Sequence, residues 1–113
     1  MTRHYIPTKI KVGHQKVKVK FYQSLKTDKQ SLLGIQSTAR QEIGVALTCP
    51  NEVSGVSEPV SRSMQEAVFI HETLHYVDQI YGGARLTEAQ VLALSHGLYQ
   101  VLTESGMWVE EEK

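Results

Sequence analysis

Near the start of the chain, hydrophobic and polar residues alternate one for one. Lys9-Ile10-Lys11-Val12 and Lys16-Val17-Lys18-Val19-Lys20-Phe21 change character at every step, which is the period of a strand with one buried and one solvated face. Val12-Gly13-His14-Gln15-Lys16 supplies a turn between them, so residues 6–22 are predicted to form a β-hairpin with His14 exposed at its tip. Ser24 to Ser31 reads as a polar connector. Leu32-Leu33-Gly34-Ile35-Gln36-Ser37 and Glu42-Ile43-Gly44-Val45-Ala46-Leu47 are two further strand candidates, with a turn at Thr38-Ala39-Arg40-Gln41 between them. Asn51 to Ser57, rich in Ser, Asn and Gly, reads as a loop.

Beyond this loop the period changes. No Pro or Gly interrupts Val60 to Tyr81; Glu58-Pro59 offers a helix start and Gly82-Gly83 a stop. Residues 64, 67, 68, 71, 74, 75 and 78 share one face of that helix and are expected to form its buried stripe. A second helix runs from Glu88 through Leu102, with Thr87 as N-cap and Gln90 completing a capping box. The link from Gly82 to Leu86 is short enough to fold it back antiparallel on the first. Trp108-Val109 is expected to pin the tail, and Glu110-Glu111-Glu112-Lys113 to fray. Strands followed by helices indicate an α+β fold: a small antiparallel sheet of three or four strands, then two long helices. One domain spans 1–113, with a β-rich part at 1–50, a helical part at 57–105 and a tail at 106–113.

The first helix carries chemistry. Ile70-His71-Glu72-Thr73-Leu74-His75 reads His-Glu-x-x-His. Helical residues four apart are stacked neighbours, about 5–6 Å between Cβ atoms, so both imidazoles can reach one Zn²⁺. Glu72 follows the first histidine, and its carboxylate can approach a metal-bound water as general base without being a ligand. Histidines with no metal role are the weaker reading. Glu88, opening the second helix, is the preferred third ligand, although an acidic residue in a first turn is favoured by the helix dipole in any case. His96 is the rival, ranked lower because an antiparallel helix carries it away from His75. Asp78 lies on the histidine face and either orients a ligand imidazole or is an exposed acid near the helix end. His96, Tyr81 and Tyr99 are candidate oxyanion donors.

Composition narrows the setting. The chain has 113 residues, 41% hydrophobic and 21% charged, suited to one folded domain. It has no apolar run approaching about 18 residues and no cleavable apolar segment behind Met1, so a cytoplasmic protein is expected. Cys49 is the sole cysteine, which excludes an internal disulfide and a Cys-based zinc site. Net charge is zero, yet residues 1–40 carry nine of the 12 Lys and Arg against Asp28 alone. Most of that excess sits on the alternating strands, where lysines discourage edge-to-edge aggregation. No aromatic residues interleave on the lysine side to stack bases, so nucleic acid is disfavoured as a partner.

His71-Glu72-Thr73-Leu74-His75-Tyr76-Val77-Asp78, Leu86-Thr87-Glu88-Ala89-Gln90-Val91 and Gly97-Leu98-Tyr99 together resemble the small phage-borne, zincin-like metallopeptidases. These are similar in turn to the immunity-repressor (ImmA/IrrE-like) gluzincin peptidases. The resemblance covers roughly residues 60–102. It implies His71, His75 and Glu88 as metal ligands, Glu72 as general base, Zn²⁺ as cofactor and a minimal zincin-like fold. It further implies a peptide or protein substrate that adds as a strand beside the 32–37 and 42–47 hairpin, in the cytoplasm of a phage-infected host, with no membrane. The chain departs from the larger peptidases in its shortness and in lacking a DNA-binding or sensor domain. The alternative is a catalytically weak or inactive binding protein on the same scaffold, acting on a host factor; a nucleic-acid accessory factor ranks lowest.

Overall fold

The computed structural model describes residues 3–27 and 30–111. Asp28 and Lys29 of the expected connector, and Glu112 and Lys113 of the expected tail, lie outside the described residues. Among the described residues eight strands come first: β1 (Lys9–Val12), β2 (Gln15–Tyr22), β3 (Leu25–Lys26), β4 (Ser31–Leu32), β5 (Gly34–Ser37), β6 (Glu42–Ala46), β7 (Thr48–Pro50) and β8 (Ser57–Pro59). Two helices follow, α1 (Arg62–Val77) and α2 (Glu88–Glu104), with a π-helical turn at Asp78–Gly82 continuing α1. The fold is α+β.

β1, β2, β5 and β6 make the main sheet, in the spatial order β1-β2-β6-β5. The β1–β2 hairpin forms as its alternation predicts, with Lys9 opposite Lys18 and Lys11 opposite Lys16, and His14 is exposed. β5 and β6 are antiparallel, Gly34 facing Val45. The sheet as a whole is mixed rather than antiparallel, because β2 and β6 run parallel with Val19 beside Ile43. Burial explains the placement. Every residue of β6 is buried, and a strand covered on both faces belongs in the middle of a sheet. β6 therefore docks on β2, and the half-buried β5 is left at the edge.

The core lies between this sheet and α1. Val17, Val19, Ile43 and Val45 meet Val68, Phe69, Ile70 and Tyr76, while the lysines at 9, 11, 16, 18 and 20 stay exposed. The expected buried stripe of α1 is corrected here. Val68 and Asp78 are buried as expected, together with Glu66, Phe69, Ile70 and Tyr76. Met64 is exposed and His71 and His75 are only half-buried, since that flank borders a cleft; Leu74 is half-buried against the core. Three local expectations also change. The connector contains a small hairpin, β3 with β4. β7 and β8 close the 51–56 loop, so Glu58-Pro59 is strand. α1 instead starts at Ser61, whose Oγ accepts from the Met64 N–H at 3.2 Å, as an N-cap serine does.

Trp108 pins the tail as expected, its indole N–H donating to the Tyr5 carbonyl at 2.6 Å. Glu110 and Glu111 do not fray. His4 and Glu110 form a β-bridge, the Glu111 N–H donates to the Arg3 carbonyl at 2.8 Å, and the Glu111 carboxylate pairs with Arg3 and Arg62. Beneath them the fully buried Glu66 accepts from the His4 N–H (2.8 Å) and the Tyr99 hydroxyl (2.9 Å), with His4 Nδ1 at 2.9 Å and Arg62 Nε at 3.5 Å. No helix among the described residues is long and apolar enough to cross a membrane.

On the outer face the Tyr22 hydroxyl donates to the Glu42 carboxylate, and Lys20 Nζ lies 3.3 Å from it. The Tyr22 hydrogen bond is the main reason the Glu42 carboxyl sits below its ordinary value of 4.5. A lowered carboxyl stabilises the fold above that value, and the contribution is lost as pH falls through the lowered one. Tyr22→Phe should therefore reduce the melting temperature at pH 7 by several degrees, a hydrogen bond to a charged group contributing about 1.5–3 kcal/mol. The gap from wild type should narrow as pH falls below Glu42's range; thermal melts at pH 7 and pH 3 check both.

Candidate metal centre

Helical repeat places His71 and His75 one turn apart on α1, with ring centroids 4.8 Å apart and nearly edge to face. Glu88 is the first residue of α2, and both halves of the capping box that starts it are made: the Gln90 N–H donates to Thr87 Oγ1 at 3.1 Å, and the Thr87 N–H to Gln90 Oε1 at 2.8 Å. The Glu88 carboxylate spans both imidazoles, with Oε1 2.7 Å from His71 Nε2 and Oε2 2.8 Å from His75 Nε2. One donor atom from each of the three residues lies within 4.8 Å of the others. The histidine side chains are 16% and 20% exposed and that of Glu88 is 71% exposed, so the group opens to solvent from the Glu88 side. Two imidazoles and a carboxylate are a donor set suited to a divalent transition metal.

α2 runs antiparallel to α1. Glu88 meets His71 and His75, Ser95 meets His71, and Tyr99 meets Glu66, so advancing along one helix retreats along the other. A cleft of about 770 Å³ separates α2 from the edge strand β5. Its floor holds His71, Glu72, His75 and Glu88; Leu33 and Ile35, Met64 and Val68, and Leu92 form apolar walls from three directions. The hairpin edge expected beside the site is there, as β5. Burial pushes the Glu72 carboxyl up to about 7, with His75 drawing it down and Glu88 raising it further. β5 passes close above it. A Cβ at Gly34 would lie 2.5 Å from Val68 Cγ1 and 2.9 Å from Glu72 Cγ.

The other expected site residues divide. His96 lines the cleft and is exposed. Tyr99 does not reach it: its phenol donates to Glu66, stacks edge-on to Trp108, and is pushed up to about 12 by burial and by Glu66. Tyr81 is 70% exposed and lies against Gly13, outside the cleft. Asp78 is buried, but its carboxylate is occupied by the backbone N–H groups of Arg85 (3.3 Å) and Leu86 (3.1 Å), not by an imidazole. Two contributors were not singled out from sequence. Ser95, 2% exposed, donates its hydroxyl to the Leu92 carbonyl at 3.0 Å and sets Oγ 3.4 Å from His71 Nδ1; its signal was a seven-residue step from Glu88, two turns along the same face. Gly34 was visible as a lone glycine in an apolar strand, a mark of close backbone approach.

Compared with known proteins, the chain matches no family model, no curated protein and no solved structure.

Gly34, which lines the cleft, and Gly97, next to the cleft-lining His96, should respond in opposite senses. Gly34→Ala forces a methyl into Val68 and Glu72 and should destabilise by about 1–3 kcal/mol, as overpacking does. Gly97→Ala, inside α2 with nothing within 4 Å of the new atom, should stabilise by about 0.5–1 kcal/mol. Urea unfolding of both variants reads the signs.

Proposed function

We propose that this protein is a zinc-dependent peptidase. The observation that carries the reading is the convergence of His71, His75 and Glu88 on the floor of a cleft walled by an edge strand, with Glu72 beside them. The donor set fits the ion, being the two imidazoles and one carboxylate found in catalytic zinc sites. Bound there, zinc would polarise a peptide carbonyl and acidify a water molecule at neutral pH.

The remaining work falls to the chain's own groups. The Glu72 carboxylate accepts a proton from the attacking water and returns it to the departing amine nitrogen. The Ser95 hydroxyl proton is committed to the Leu92 carbonyl, so Oγ presents a lone pair to His71 Nδ1. That favours the imidazole tautomer with its proton on Nδ1 and a free lone pair on Nε2, the atom facing Glu88. β5 pairs with β6 on one side only and can take an extended peptide on the other. The apolar walls suit a hydrophobic side chain next to the scissile bond, and His96, which lines the cleft, would be the donor to the developing oxyanion. A second reading, peptide binding without cleavage, draws on the exposure of Leu33, Met64 and Leu92, at 37%, 45% and 46%.

Zinc should bind with near-unit stoichiometry. His71→Ala and His75→Ala should each abolish binding and its gain in melting temperature; Glu88→Ala should weaken binding markedly, and His96→Ala should leave it nearly intact. Chelator competition gives the ranking, and a reversed order for Glu88 and His96 would reassign the third ligand.

Glu72→Gln should keep the metal and lose about 10²–10⁴-fold in rate, the usual contribution of a general base. A mixed peptide library read by mass spectrometry supplies the assay. Equal cleavage by both proteins would indicate a contaminant. Absence of cleavage with zinc bound would favour the binding reading.

A further inference from the structure

The short link between the helices delivers Glu88 to the histidines, and a single residue holds that link. The backbone carbonyl of Asp78 accepts from the N–H groups of Gly83 and Ala84, the latter at 3.0 Å. Its carboxylate accepts from the next two, Arg85 on Oδ1 at 3.3 Å and Leu86 on Oδ2 at 3.1 Å. Every amide from 83 to 86 therefore ends on Asp78.

The link has reason to need this grip. Gly83 (φ 70°) and Ala84 (φ 57°) are consecutive left-handed residues, and an L-residue such as alanine disfavours that conformation. Residues 83–88 are all exposed, and the Glu88 side chain is 71% exposed, so close packing does not place it. The capping box of α2 is local to residues 87–90 and does not tie the helix start to α1. The carboxylate of Asp78 does, two residues before the candidate ligand. Gly82 leaves room for it, since a Cβ there would run into Asp78 Oδ1.

We propose that Asp78 is the positioning residue of the metal centre: its carboxylate fixes the 83–86 link and, through it, the place of Glu88 against His71 and His75. The proposal rests on the metal reading above but assigns Asp78 a route that does not pass through a histidine.

A double-mutant cycle in zinc affinity tests it, by chelator competition at low temperature where the variants are folded. Asp78→Ala should lose about 10–100-fold in affinity, as loss of a group supporting a ligand does. Asp78→Asn, which keeps one acceptor oxygen, should fall in between. Gly82→Ala should weaken zinc while Asp78 is present and add nothing to Asp78→Ala. In a Glu88→Ala background, Asp78→Ala should change affinity by no more than about two-fold, the scatter expected when no independent contribution remains. The positioning role is overturned if Asp78→Ala binds like wild type, or if it loses the same factor with and without Glu88. If Asp78→Ala fails to fold, the Asp78→Asn and Gly82→Ala arms carry the cycle. A wild-type protein that binds no zinc removes the metal reading and this proposal together; zinc binding with a flat Asp78 series removes the positioning role alone.

Discussion

The register of α2 along α1 is the constraint on which the rest depends, and a buried carboxylate sets it. Glu66 is fully buried and gathers Tyr99 from α2, His4 from the N-terminal segment and Arg62 from its own helix. Removing one partner from such a node leaves a polar group stranded, at a cost of about 3–5 kcal/mol where the pair is ionic. With Tyr99 fixed there, the helical repeat does the rest. One turn back along α2, Ser95 faces His71; two turns further back, Glu88 faces both histidines. The Glu66 contact thus fixes the far end of the helix pair, while the link held by Asp78 fixes the end that carries Glu88.

The sheet supplies the second half of the geometry. Because β6 is buried throughout and takes a central position, β5 becomes the edge strand, and its path over α1 roofs Glu72. Close approach at Gly34 excludes solvent from that carboxyl, and exclusion of solvent is the main reason it rises to about 7. The opposite face of the sheet follows a different logic. Its lysines lie across from one another on β1 and β2, an arrangement tolerable only because water surrounds them. The two faces of one sheet serve burial and solubility separately.

Local sequence determined a good deal. The alternation of residues 9–21 specified the β1–β2 hairpin, Thr87 and Gln90 specified the start of α2 to the residue, and the four-residue step from His71 to His75 placed both imidazoles on one helical edge. Each of these rests on interactions between residues close in the chain, where strand period, capping chemistry and helical repeat leave little choice. Glu88 as the partner of both histidines was also legible, because a short link permits only an antiparallel return.

Tertiary structure decided what contacts between distant segments decide. Whether β6 would dock parallel on β2 is not written in either strand, since β2 reads only as an alternating strand and β6 only as an apolar one. β3 and β4, two residues each, carry too little period to be seen. Asp78 sits at the right spacing to support a histidine, yet the π-helical turn that begins with it aims its carboxylate at the link instead. Tyr99, one turn beyond Ser95 in the cleft wall, was drawn away by Glu66 rather than left to the site. For β6 and Tyr99 the deciding contact comes from a segment distant in the chain, and for Asp78 from the π-helical turn, none of which a local pattern encodes.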